Sequence, residues 1–89
     1  MRAVISVVGR DRVGILAKVS VACAECNANI IDVTQSVLED MFVMVMLVDI
    51  SEMCMDFPEL VKKMNELGES IGMVIHVMHE EIFNSMHRI

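Results

Sequence analysis

Eighty-nine residues, 55% of them hydrophobic, make one small domain that can fill a core and still have apolar surface left for a partner. The net charge of −6 argues against nucleic acid as a main partner. No apolar run approaches the roughly 18 residues that span a bilayer, and no signal peptide is visible, so a cytoplasmic location is expected.

Met1 to Val8 reads as a buried strand, its Ala3 to Val8 a short, β-branched apolar run with Ser6 its polar member. The next stretch, Gly9-Arg10-Asp11-Arg12-Val13-Gly14, reads as a tight turn into a helix over 12–26. Asp11 is the expected N-cap, because its carboxylate can accept from N–H groups of the first turn. Gly9 suits the sharp turn. Gly14 would then sit inside a helical turn, where glycine costs about 1 kcal/mol against alanine, so a packing or ligand reason is expected there. Ile15, Val19, Ala22, Cys23 and Cys26 share one helix face, and Asn27-Ala28-Asn29 ends it.

Ile30 to Leu38 alternates apolar Ile31, Val33 and Val37 with Asp32, Thr34 and Ser36, the pattern of a half-buried strand. Glu39-Asp40 is a turn. Met41 to Ile50 is a third strand, apolar on both faces, and must be covered on both. Asp56 with Glu59 three residues on makes a capping box, and Pro58 suits a first turn. Phe57, Leu60, Val61, Met64, Leu67 and Ile71 then form one stripe, while Lys62, Lys63, Glu66 and Glu69 face water. Gly72 is the expected stop, with Gly68 inside the helix or ending it early. Met73 to Met78 is a fourth strand. Glu80 to Ile89 is a short tail helix with Ile82, Phe83, Met86 and Ile89 on its apolar side.

The order β-α-β-β-α-β plus a terminal helix predicts an α+β, ferredoxin-like sandwich: a four-stranded antiparallel sheet with two helices on one face. The domain spans 1–79, and the amphipathic helix 80–89 packs on it or on a dimer partner. Two helices cannot cover both faces of the third strand. A second copy, the tail helix, or both are expected on the open side.

Charge is unevenly spread. Arg2, Arg10, Arg12 and Lys18 crowd the first 18 residues against Asp11, and the other twelve of the 13 acidic residues follow later. The basic neighbourhood surrounds the turn, where the N–H groups of a helix start also favour an anion.

The turn Gly9-Arg10-Asp11-Arg12-Val13-Gly14-Ile15-Leu16 between strand and helix, followed by Asn27-Ala28-Asn29-Ile30-Ile31 opening the second strand, resembles the ACT domain. The match runs end to end. With the closing His79-Glu80-Glu81-Ile82-Phe83-Asn84-Ser85-Met86-His87-Arg88-Ile89 it resembles, more narrowly, the small stand-alone ACT proteins akin to the glycine-cleavage-system repressor. The resemblance implies a ferredoxin-like fold and a non-catalytic regulatory domain that binds a small molecule, typically an amino acid, at a subunit interface. Carried over by motif, it implicates Asp11, Arg12, Val13, Gly14, Ile15 and Leu16 with Asn29 and Ile30. It also implies a homodimer and a regulated target that the chain does not name. The alternative is a dimeric protein–protein interaction module whose turn is structural.

Other chemistry is weakly encoded. Cys23-Ala24-Glu25-Cys26 and His76-Val77-Met78-His79 together invite a zinc reading. In a strand, however, residues three apart point to opposite faces, so the two histidines diverge. The two cysteines sit on an apolar helix face near its end, where a thiolate gains nothing from the dipole, and are expected to be structural and reduced. Three cysteines, an odd number without framework spacing, fit a reducing compartment. None of the serines Ser6, Ser20, Ser36, Ser51, Ser70 and Ser85 lies in a nucleophile elbow, and Asp32 is expected to be solvated rather than catalytic. No G-x-G-x-x-G occurs, and no cofactor is expected. The tail is too short and acidic at its start for a membrane anchor.

Overall fold

The apolar run that begins the chain ends up in the middle of a sheet, which is why it carries so little polarity. In the computed structural model, which describes residues 1–10 and 13–86, the elements run β1 (Arg2–Arg10), α1 (Ile15–Glu25), β2 (Asn29–Leu38), β3 (Met41–Asp49), α2 (Phe57–Ile71), β4 (Val74–His79) and α3 (Glu80–Met86). The four strands lie in the order β2-β3-β1-β4, with every neighbouring pair antiparallel. This is the ferredoxin-like α+β arrangement the element order predicts.

Strand alternation sorts the side chains. Ala3, Ile5 and Val7 of β1 face the same way as Phe42, Met44, Met46 and Val48 of β3, and all are buried. Ile15, Val19, Ala22 and Cys23 of α1 and Leu60 and Met64 of α2 close the core over them. The opposite face carries Val43, Val45 and Leu47, only half-buried. A bulge between Ile30 and Asp32 shifts the β2 register, leaving Val33 and Val37 on the helix side and Asp32, Thr34 and Ser36 on the other. β2 is nonetheless an edge strand, and all of it is exposed except half-buried Val33.

One helix end differs from the sequence reading and two agree with it. α1 begins at Ile15 rather than residue 12, because Gly14 adopts φ 83, a left-handed conformation that no helical turn accommodates. Gly14 is therefore the N-cap, without a side-chain bond, in place of Asp11, which lies outside the described residues with Arg12. At the other end Asn27 takes φ 62 while its N–H reaches Ala24 O and the Ala28 N–H reaches Cys23 O, a Schellman ending with asparagine in glycine's usual place. Gly68 does not end α2; it is buried inside it, and the helix stops at Gly72, φ 71. Gly9, expected in the turn, is a strand residue opposite Phe42, and a Cβ there would collide with the Met73 side chain.

Asp56 starts α2: its Oδ1 accepts from the Glu59 N–H at 2.9 Å, and Pro58 occupies the first turn, where no N–H is missed. Asp56→Ala is expected to lower stability by about 1 kcal/mol, visible as a lower urea midpoint with an unchanged slope.

α3 lies on the open face, tied to β1 where Arg2 Nε donates to Glu80 Oε1 at 2.9 Å and Arg2 Nη2 meets Glu80 Oε2 at 2.8 Å. Phe83 and Asn84 come down beside Val4, Val45 and Leu47. Of the apolar side predicted for this helix, Phe83 is half-buried, whereas Ile82 and Met86 remain 52% and 65% exposed. Ile89 lies outside the described residues. α3 thus covers part of the open face and leaves Ile82 and Met86 bare.

Candidate functional site

The turn after β1 is placed by two neighbours. Val8 at the end of β1 pairs with Val74 at the start of β4, so the chain leaving α2 arrives beside the chain entering α1. The N-terminus of α1 and the C-terminus of α2 consequently flank one groove, about 470 Å³, lined by Val13, Ile15, Lys18, Ser70, Ile71 and Gly72. Val13 is fully exposed at its rim, while Ile15 is buried at its base.

The electrostatics of the two walls are opposite. On the α1 side, among the described residues, the first-turn N–H groups meet neither a side-chain cap nor an acidic residue, and the Lys18 side chain adds a positive charge. On the α2 side the helix presents its carbonyl end, with the Ser70 hydroxyl donating to Leu67 O at 2.7 Å. Arg10, which sequence places in the same basic neighbourhood, extends instead toward Asp40 at 3.9 Å with its side chain 84% exposed.

Of the residues implicated by motif, Val13 and Ile15 line this groove, Gly14 caps the helix beside it, and Leu16 faces outward, partly exposed. Asp11 and Arg12 lie outside the described residues. Asn29 and Ile30 are elsewhere: Asn29 pairs with Asp49, itself opposite Arg2, whereas the turn follows Arg10 at the far end of the same strand. Eight residues of strand at about 3.3 Å each put them roughly 26 Å from the turn. Lys18, Ser70, Ile71 and Gly72 were not among the expected site residues. The helix stop at Gly72 is legible in sequence, but its return beside the first turn follows from the β1–β4 pairing.

Gly14 is where sequence and structure disagree most usefully. Among the described residues an added Cβ would meet nothing within 4 Å, so the glycine is there for its backbone conformation and not for close packing against them. The expectation that alanine would favour the helix is therefore reversed. Gly14→Ala is expected to lose about 1–2 kcal/mol, the cost of a left-handed L-residue, with a correspondingly lower melting temperature by calorimetry.

The zinc reading does not assemble. His76 is exposed on the open face opposite Ser6, whereas His79 stacks on Phe57 with ring centroids 4.0 Å apart. Cys23 is buried, and burial followed by the neighbouring Cys26 pushes its thiol up to about 11. Among the described residues no three His, Cys, Asp or Glu side chains converge as metal ligands, and no helix is long and apolar enough to cross a membrane.

Comparison with known proteins identifies the family and the fold. Residues 2–78 match the family model of the ACT domain. A UPF0237 protein of Methanocaldococcus jannaschii is 49% identical over 88 residues, covering 99% of this chain and 98% of that one. A UPF0237 protein of Listeria innocua is 45% identical over the full length of both. Among solved structures, an ACT domain protein from Streptococcus pneumoniae superposes with a TM-score of 0.82 at 37% identity, covering 93% of each chain. A chain assigned as a glycine cleavage system transcriptional repressor shares the fold, with a TM-score of 0.68 at 23% identity over 86% of this chain and 44% of its own. ACT domains are a regulatory, ligand-binding family, and on sequence and fold alike this chain belongs to it.

Proposed function

We propose that this chain is a non-catalytic sensor that binds a free amino acid in the groove between the start of α1 and the end of α2. The observation that carries the reading is the opposed polarity of the two walls. A carboxylate is favoured at the uncapped N–H groups of α1 and Lys18, and an ammonium at the carbonyl end of α2. A zwitterion presents both charges at once. Gly14, with open space where a Cβ would stand, leaves room for it beside the backbone.

A homodimer completes the arrangement. β2 is an exposed edge strand of ten residues. Antiparallel pairing with a second β2 carries the partner's Asn29 and Ile30 to the end of the sheet that holds the turn, so the two separated parts of the motif meet across chains. Light scattering is expected to show a dimer; a particle of 10.0 kDa would reject this part of the reading.

The experiment is a thermal-shift screen of the amino acids followed by calorimetric titration of the parent and Lys18→Met. One amino acid is expected to raise the melting temperature by mass action, and loss of the Lys18 charge to weaken it about tenfold. If no amino acid shifts the melting temperature, the interaction-module reading takes precedence.

A further inference from the structure

The sequence pairs Cys23 with Cys26, but the fold brings Cys26 to Cys54. The loop after β3 folds against the end of α1: the Cys54 N–H donates to Cys26 O at 2.9 Å, and the Asn27 side-chain amide donates to Glu52 O at 2.8 Å. One backbone hydrogen bond limits how far apart the two α-carbons can lie. With about 1.5 Å from N to Cα and about 2.4 Å from O to Cα, they are at most about 6.8 Å apart. That is within the span a disulfide bridges. The thiols crowd the same helix end, Cys54 Sγ lying 3.8 Å from Glu25 O and Cys26 Sγ 3.4 Å from Cys23 O. Their access differs sharply: Cys54 is exposed and Cys26 wholly buried.

We propose that Cys26 and Cys54 are a peroxide-sensitive dithiol, in which Cys54 meets the oxidant and Cys26 resolves it. The Cys54 thiolate attacks one oxygen of hydrogen peroxide, the O–O bond breaks, and Cys54 becomes a sulfenic acid with release of water after protonation. The Cys26 sulfur then attacks the Cys54 sulfur, the S–O bond breaks, and a second water leaves. Two thiols are oxidised by two electrons, and one peroxide is reduced to two waters. The bridge ties the end of α1 to the β3–α2 loop immediately before Ala28 and Asn29, and so stiffens the corner from which the exposed edge strand β2 departs. Cys23, buried and one turn deeper in α1, takes no part.

The reduced chain is treated with stoichiometric hydrogen peroxide, and peptides are mapped by mass spectrometry without reductant. The expected product is an intramolecular Cys26–Cys54 peptide pair, 2 Da lighter than the reduced pair by the loss of two hydrogens, formed by the parent and by Cys23→Ala. Cys26→Ala is expected to stop at a Cys54 sulfenic acid trapped by dimedone, and Cys54→Ser to remain unmodified. The oxidised parent is expected to melt higher than the reduced one. A Cys23–Cys26 bridge, a Cys54–Cys54 link between two chains, or oxidation of Cys54 without a bridge in the parent would each overturn the proposal. Should Cys26→Ala fail to fold, Cys23→Ala against Cys54→Ser decides alone.

Discussion

Met46→Ala is expected to destabilise the chain by about 2–5 kcal/mol, the range for removing a large buried side chain and leaving part of its volume empty. Met46 is wholly buried at the middle of β3, between Ile5 of β1 and Val33 of β2, on the face that α1 and α2 cover. For a domain of this size each kcal/mol moves the melting temperature by roughly 4–8 °C, so a fall of about 10 °C or more is expected. The adjacent residue is the control. Leu47 points to the other face and is half-buried in the single chain. Leu47→Ala should cost about 1 kcal/mol if that face stays open. Urea melts of both variants measure the difference. Equal losses at the two positions would mean that the open face is also sealed, by a second copy, in the assembled protein.

Gly68→Ala is expected to cost about 2 kcal/mol, against the usual rule for helices. In an exposed helix the same change gains up to about 1 kcal/mol. Here the new Cβ would stand 2.7 Å from the Met73 carbonyl oxygen and 3.1 Å from Ile75 Cγ1. The first of these is backbone, held where the Met73 N–H donates to Gly68 O at 2.9 Å, so it cannot rotate aside. α2 must lift from β4, and overpacking of this kind costs about 1–3 kcal/mol or more. Comparison with Gly14→Ala separates two reasons for a glycine. Gly68 is required by a neighbour that is too close, and Gly14 by a left-handed φ with no described residue near its Cβ position. Gly68→Ser should be at least as damaging as Gly68→Ala. Gly14→Asn should be milder than Gly14→Ala, because asparagine tolerates the left-handed region. Thermal melts of the four variants test both statements, and a Gly68→Ala variant as stable as the parent would refute the close-approach argument.

The elements themselves were legible because each follows a local rule. The apolar stripe of α2, the capping Asp56 and the terminating Gly72 are short-range chemistry, and they sit where periodicity and capping put them. Asn27 as a helix terminator is the same kind of fact, since its left-handed φ is a property of one residue. The start of α1 was misplaced because Asp11 and Gly14 both satisfy local rules for a helix beginning, and the choice between them depends on how the chain turns off the end of β1.

The amino-acid order alone determined the fold class, the buried faces of α1 and α2 and the double-sided apolarity of β3, for these rest on periodicities of 3.6 and 2 that any chain of this pattern must satisfy. Tertiary structure alone decided which distant residues come together. Pairing of Val8 with Val74 sets Ser70 and Gly72 beside Lys18, and pairing of Asn29 with Asp49 sends Asn29 to the opposite end of the sheet. Packing of the β3–α2 loop on the end of α1 brings Cys54, 28 positions along the chain, against Cys26. None of these meetings leaves a mark in local composition. Each depends on strand order and register, which the whole chain fixes by burying one face of the sheet at once.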